Sequence, residues 1–198
     1  MKITIINGST RAGSNSIKIS EYIKNQLEQK NVEGGNVSAE VLDLSKTILP
    51  VYDDSEPENL KPILEKIQTG LEESDGFVFV SPEWDGMFSV GILNLLHYID
   101  KELADKPVFL VSVSSGRGGR YPLLQARGMG YKNKRFVIVP ESFFVDFVEK
   151  NFVDGKFVEP VAAERLDYDL NVFLEYAKAL KQVRTSGVVN YQKFPNGL

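Results

Sequence analysis

Lys2-Ile3-Thr4-Ile5-Ile6-Asn7 is a short apolar run that breaks at once into Gly8-Ser9-Thr10-Arg11-Ala12-Gly13-Ser14-Asn15-Ser16. A buried strand, a loop of small hydroxyl and glycine residues with one arginine, and then a helix make a phosphate cradle. Glycines let backbone N–H groups approach an anion, and serine hydroxyls donate to its oxygens. The helix that follows turns its positive dipole end toward it. Arg11 adds a planar, bidentate cation. Gly8 and Gly13 have the spacing of the two P-loop glycines, but the residue that should then be lysine is Ser14. The three-glycine dinucleotide fingerprint is absent as well. A phosphomonoester, such as that of a flavin mononucleotide, therefore suits the stretch better than a triphosphate or a pyrophosphate. The alternative is an ordinary strand-to-helix turn with a serine cap.

Working outward, strands and helices alternate. Helices are expected over residues 16–29, 59–73, 90–101, 119–129 and 166–183. In the first, Ile17, Ile19, Ile23 and Leu27 are the candidate buried positions. Strands are expected over 2–7, 38–44, 76–80, 107–113 and 135–139, with a turn at 32–36 and a proline-containing loop at 49–58. The run Phe77-Val78-Phe79-Val80 is apolar without alternation. Continuous apolar strands between amphipathic helices imply a parallel sheet covered on both faces. The expected fold class is α/β: a flavodoxin-like, three-layer, doubly wound sheet with strand order 2-1-3-4-5. One domain is expected over 1–198, with a C-terminal extension from about 186. In such a sheet a ligand binds outside the carboxyl ends of the strands, where the strand order reverses. The loops that matter then follow Asn7, Val80 and Val113.

Composition narrows the chemistry. The chain has 198 residues, with 23 basic and 27 acidic side chains and a net charge of −4. That balance argues against nucleic acid or an anionic membrane as partner. The sequence has no cysteine, which excludes disulfides, thiol nucleophiles and thiolate-held metals. One histidine leaves little for a zinc site or a Ser-His-Asp triad. The apolar start is too short for a signal peptide and no run approaches ~20 apolar residues, so a cytoplasmic location is the expectation.

The second loop reads Ser81-Pro82-Glu83-Trp84-Asp85-Gly86-Met87-Phe88-Ser89. Its backbone amides suit the edge of a planar heterocycle, and Trp84 suits its face. The third reads Ser114-Ser115-Gly116-Arg117-Gly118-Gly119-Arg120. Its glycines let backbone lie close to a flat ligand. Arg117 and Arg120 are candidates to meet a phosphate of a second substrate, or are solvated surface arginines.

Taken in order, the three loops resemble those of the NAD(P)H-dependent FMN reductase family, whose members have a flavodoxin-like fold. The first loop is similar to that family's first motif. Pro82-Glu83-Trp84-Asp85-Gly86, followed by Asn94, resembles its Pro-Glu-Tyr-Asn loop and the asparagine of the next helix. Gly118-Gly119 resembles its glycine pair. The resemblance covers roughly residues 1–139. It implies bound FMN, with Ser9, Arg11, Ser14, Asn15 and Ser16 about the phosphate. Pro82, Glu83, Trp84, Asp85 and Gly86, with Ser115, Gly116, Gly118 and Gly119, would flank the isoalloxazine. Trp84, Met87, Phe88 and Arg117 would border the substrate. NADPH or NADH would be the co-substrate, and free flavin, a quinone or a similar molecule the acceptor, in ping-pong order. Trp84 and Asp85 stand where the family usually has tyrosine and asparagine. Ser89-Val90 stands where it usually has Pro-Gly.

His97, alone in mid-helix, reads as structure; flavin chemistry needs no histidine. Segment 90–101 is apolar on more than one face, which suits a homodimer or homotetramer interface. The tail around Tyr191 and Phe194 either docks on a partner subunit or covers its own domain. The rival reading is a flavodoxin-type electron carrier or flavin-binding sensor without NAD(P)H turnover.

Overall fold

The computed structural model describes every residue except Glu33, Glu56 and Leu198. The expected turn at 32–36 and the loop at 49–58 therefore each include one residue outside the described set. Five parallel strands form the sheet: β1 (Lys2–Asn7), β4 (Ser38–Asp43), β5 (Gly76–Pro82), β6 (Pro107–Val113) and β7 (Val137–Val145). Their order is β4-β1-β5-β6-β7, the expected 2-1-3-4-5. Helices α1 (Asn15–Glu28), α2 (Lys61–Glu73), α3 (Val90–Tyr98), α4 (Arg120–Arg127) and α6 (Pro160–Thr185) connect and cover the strands. Two apolar layers result, one on each face. Ile3, Ile5, Val78 and Val111 meet α1 and α6 on one side; Ile6, Phe77, Phe79 and Leu110 meet α2, α3 and α4 on the other. Alternate residues of each strand thus feed opposite layers, which is why the strands read as continuously apolar.

Several boundaries move, each for a local reason. Helix α1 begins at Asn15 because the Ser14 hydroxyl accepts the N–H of Ile17 and caps it. Ile17 is only half-buried, unlike Ile19, Ile23 and Leu27. Helix α2 begins at Lys61 rather than Asn59, with Leu60 at the cap. Helix α3 ends at Tyr98, where Ile99 turns extended, so 99–101 are not helical. Gly119 is the left-handed cap of α4 and precedes the helix. Helix α6 begins at Pro160, since proline suits the first helical turn. The fifth strand runs through Pro140 to Val145. β7 is an edge strand, where a missing N–H is tolerated, and its register with β6 shifts between Val108 and Leu110. Small elements add hairpins at β2 (Asn31–Val32) with β3 (Gly35–Asn36) and β8 (Phe152–Val153) with β9 (Lys156–Phe157), and a single turn, α5 (Val148–Asn151).

The tail covers its own domain. Tyr191 donates its hydroxyl to Asp105 at 2.7 Å, its ring lies under the Arg135 guanidinium, and Gly197 N–H meets Lys132 O at 2.6 Å. All of these partners lie at the amino edge of the sheet. Burial pulls the nearby Lys106 ammonium down to about 8, although it donates to Leu71 O and Glu72 O at the end of α2. Burial and the bond to Asp105 push the Tyr191 phenol up to about 12.

Candidate active site at the carboxyl edge

The first loop leaves β1 at the point where the chain order reverses. Gly8 N–H bonds Val80 O of β5, and its own carbonyl accepts the Ser89 hydroxyl at 2.6 Å. Ser89 also receives the N–H of Ile92, and so caps α3. The cradle is thereby clamped between β5 and α3. Ser9, Ser14 and Ser16 are all buried at the mouth of α1. The Ser9 hydroxyl accepts from Arg11 N–H and that of Ser14 from Ile17 N–H, which leaves each O–H proton to donate elsewhere. Arg11 is exposed, and its guanidinium lies 5.7 Å from the Trp84 ring centre. Asn15 instead accepts from Lys18 on the helix surface. Buried hydroxyls, the first helical N–H groups and a free guanidinium are the donor set a phosphomonoester requires, so the cradle fits that group.

In the second loop, Trp84 pairs with Met87 around Asp85 and Gly86, and Met87 N–H bonds Trp84 O at 2.8 Å. Both central residues have positive φ, 51° and 75°, which is the two-residue hairpin turn that favours Asp-Gly. Asp85 is thus an exposed turn tip. The amides of Asp85 and Gly86, at the tip of that turn, have no backbone acceptor among the described residues, whereas Glu83 N–H is spent on Val113 O. Phe88 is 2% exposed in the layer beneath α3, and its N–H bonds the Gln125 side chain, so most of its ring packs in the core.

In the third loop Ser115, Gly116 and Arg117 are exposed. The Glu83 carboxylate accepts Gly119 N–H, and a Cβ at Gly118 would collide with that carboxylate. The amide of Gly119 is therefore engaged within the protein.

A cavity of about 600 Å³ opens beside the cradle. Ser9, Arg11, Pro82, Trp84 and Met87 line it, as does the edge of Phe88. The third loop does not; it stands on the far side of the second. The remaining wall includes Leu44, Leu49, Tyr52, Leu93, Asn94 and His97. Val90, Leu93, Asn94 and His97 follow the spacing of one helix face, and this is the second apolar face of α3. Leu96 and Ile99 are 7% and 2% exposed and pack inward. Asn94 ties the wall together: its amide donates to Pro50 O and its oxygen accepts Tyr52 N–H. The His97 ring stacks on Tyr52 at 5.4 Å.

The sequence model of the NADPH-dependent FMN reductase family matches residues 1–150. The chain belongs to that family. Membership places it among the oxidoreductase enzymes that use FMN with NAD(P)H. It is 30% identical over 120 residues to an NADPH azoreductase of Bacillus sp. strain OY1-2. That match takes in 60% of this chain and 62% of the azoreductase. It is 28% identical over 175 residues to a probable NADPH:quinone oxidoreductase 2 of Oryza sativa subsp. japonica, covering 84% and 83%. The fold is also that of the flavoenzyme NAD(P)H:(acceptor) oxidoreductase FerB of Paracoccus denitrificans. There the TM-score is 0.71 at 17% identity, over 90% of this chain and 97% of that one. Among the described residues no helix is long and apolar enough to cross a membrane.

Proposed function

We propose that this chain holds FMN across the three loops and passes reducing equivalents from NAD(P)H to a small-molecule acceptor in ping-pong order. The observation that carries this is the first loop: Ser9, Ser14 and Ser16 buried together, with Arg11 unpaired beside them. When bound, FMN supplies the electron chemistry. The protein's part is to bind, orient and shield. The cradle hydroxyls and Arg11 hold the phosphate. The amides of Asp85 and Gly86 meet a polar ring edge, and the exposed 115–117 backbone offers a close approach to its face. Trp84 and Met87 border the place where nicotinamide and acceptor exchange. The relatives' names favour a quinone or an azo compound as acceptor.

We propose also that two copies pair over the cavity. Val51, Trp84, Met87 and Val90 are exposed around its rim, Val51 at 84% and Val90 at 71%. An apolar rim of this kind marks an association surface.

The test is direct. The purified protein should be yellow, or become so with FMN, and should oxidise NAD(P)H only when a quinone or azo dye is present. Flavin binding without such turnover would favour the electron carrier. Failure to take up FMN would overturn the reading.

A further inference from the structure

Most of the chain's arginines are spoken for. Arg127 donates to Val139 O and Pro140 O, Arg135 pairs with Asp105, Arg165 with Asp169, and Arg184 with Asp75. Arg11, Arg117 and Arg120 have no carboxylate within salt-bridge distance among the described residues. All three stand at the carboxyl edge, Arg11 and Arg117 in loops and Arg120 at the first position of α4. Arg11 belongs to the cradle, which leaves two cations on the other side of the second loop without an assignment.

Arg120 is not loose. Its guanidinium carbon lies over the Phe144 ring, 4.2 Å from its centre, and one amino group is 3.5 Å from Gly118 O. Phe144, on β7, is itself 38% exposed, so it serves as a surface platform and not as core. The loop also passes close to Phe144, since a Cβ at Gly119 would come within 2.9 Å of the Phe144 Cβ. Tyr121, 71% exposed, extends the platform toward Gly86. A planar cation held this way keeps one face and its outer N–H edge open to solvent. The open face suits a purine, giving a Phe144–Arg120–adenine stack; the edge suits a phosphate on the adjoining ribose. Nearby arginine is the usual device for the 2′-phosphate of an NADP-type coenzyme. The absence of a competing carboxylate leaves the fork free for a dianion.

We propose that Arg120, held over the Phe144 ring and assisted by Arg117, recognises the adenosine 2′-phosphate of the coenzyme and so sets a preference for NADPH over NADH. This rests on the reductase reading above but adds the residue and the part of the substrate it reads.

Calorimetry with adenosine 2′,5′-bisphosphate and with adenosine 5′-monophosphate tests it without turnover. Wild-type holoenzyme should bind the bisphosphate about tenfold or more tightly than the monophosphate, the worth of a charge-assisted contact. Arg120→Gln should erase that difference, Arg120→Lys should keep part of it, and Phe144→Ala should reduce it. In turnover, Arg120→Gln should lower the NADPH-to-NADH ratio of kcat/KM by about the same factor. Equal binding of the two nucleotides by the wild type, or an equal loss for both coenzymes in Arg120→Gln, would overturn the proposal. A wild type that oxidises neither coenzyme overturns the reductase reading instead, and the nucleotide titration still judges Arg120.

Discussion

The carboxylate of Glu83 accepts the backbone N–H of Gly119, and this fastens the loop after β5 to the loop after β6. Glu83→Ala removes the acceptor. Gly118→Ala displaces it, because the added Cβ would occupy the carboxylate's place. Both changes strike one fastening, so their effects on FMN affinity should not add. In fluorescence titrations the double variant should be no weaker than the poorer single variant. Additive losses would mean that the two loops act separately.

Ser9→Ala with Arg11→Ala should weaken FMN binding at least tenfold, since a charge-assisted hydrogen bond is worth ~1.5–3 kcal/mol. Neither Ser9 nor Arg11 belongs to the two apolar layers, so the thermal transition of the apoprotein should stay in place. Unchanged flavin content after dialysis would move the phosphate elsewhere.

Trp84 is 59% exposed at the cavity rim. Its removal should leave folding intact and alter turnover, because aromatic contact with a flat ligand is worth ~0.5–1.5 kcal/mol beyond area. Double-reciprocal plots for the wild type should be parallel. Intersecting lines, or normal kinetics in Trp84→Ala, would place the exchange site away from this loop.

Val51→Glu or Val90→Glu should yield monomers by light scattering, since each puts a charge into the proposed rim contact. Leu96 and Ile99 are unsuitable for this test because they are buried within the chain itself. A wild type that is monomeric at tens of micromolar, an ample concentration for a standard-size interface, would reject the pairing.

The amino edge sets a pH dependence. Folded Lys106 titrates near 8 against 10.5 when unfolded, so between those values the unfolded chain binds the extra proton. Stability from this group therefore rises as pH climbs from about 8 toward 10.5. Tyr191 acts in the opposite sense. Its contribution is complete below 10 and is lost as pH rises toward about 12. Melting curves should show the wild type gaining on Lys106→Met between pH 8 and 10. Above pH 10 it should lose ground relative to Tyr191→Phe. Parallel pH profiles for Lys106→Met and the wild type would show that Lys106 does not carry this effect.

The sheet order and the gathering of Ser9, Ser14 and Ser16 at the start of α1 were legible because each rests on local signals: unbroken apolar strands, and hydroxyls and glycines within one short loop. The extension of β7 past Pro140 was not, since proline signals a stop unless the strand is known to lie at an edge. Nor were the two-residue hairpins, which are too short to carry a period. The burial of Phe88 was not legible either, because an aromatic in a polar loop looks exposed until α3 folds over it. The Tyr52–His97 stack and the Glu83–Gly119 bond join residues far apart in sequence, and no spacing rule foretells them. The α3 face of Val90, Leu93, Asn94 and His97 was visible as surplus apolarity; its use as a cavity wall became clear only with the 49–52 segment in place.

The anchoring of Tyr191 and Gly197 on Asp105 and Lys132 fixes where the chain leaves its own body. That exit lies across the full length of the strands from the cradle. An affinity tag, a fluorescent reporter or an electrode tether joined there would project away from the cavity mouth and leave both coenzyme and acceptor a free approach. The same attachment at the 84–87 turn would block them.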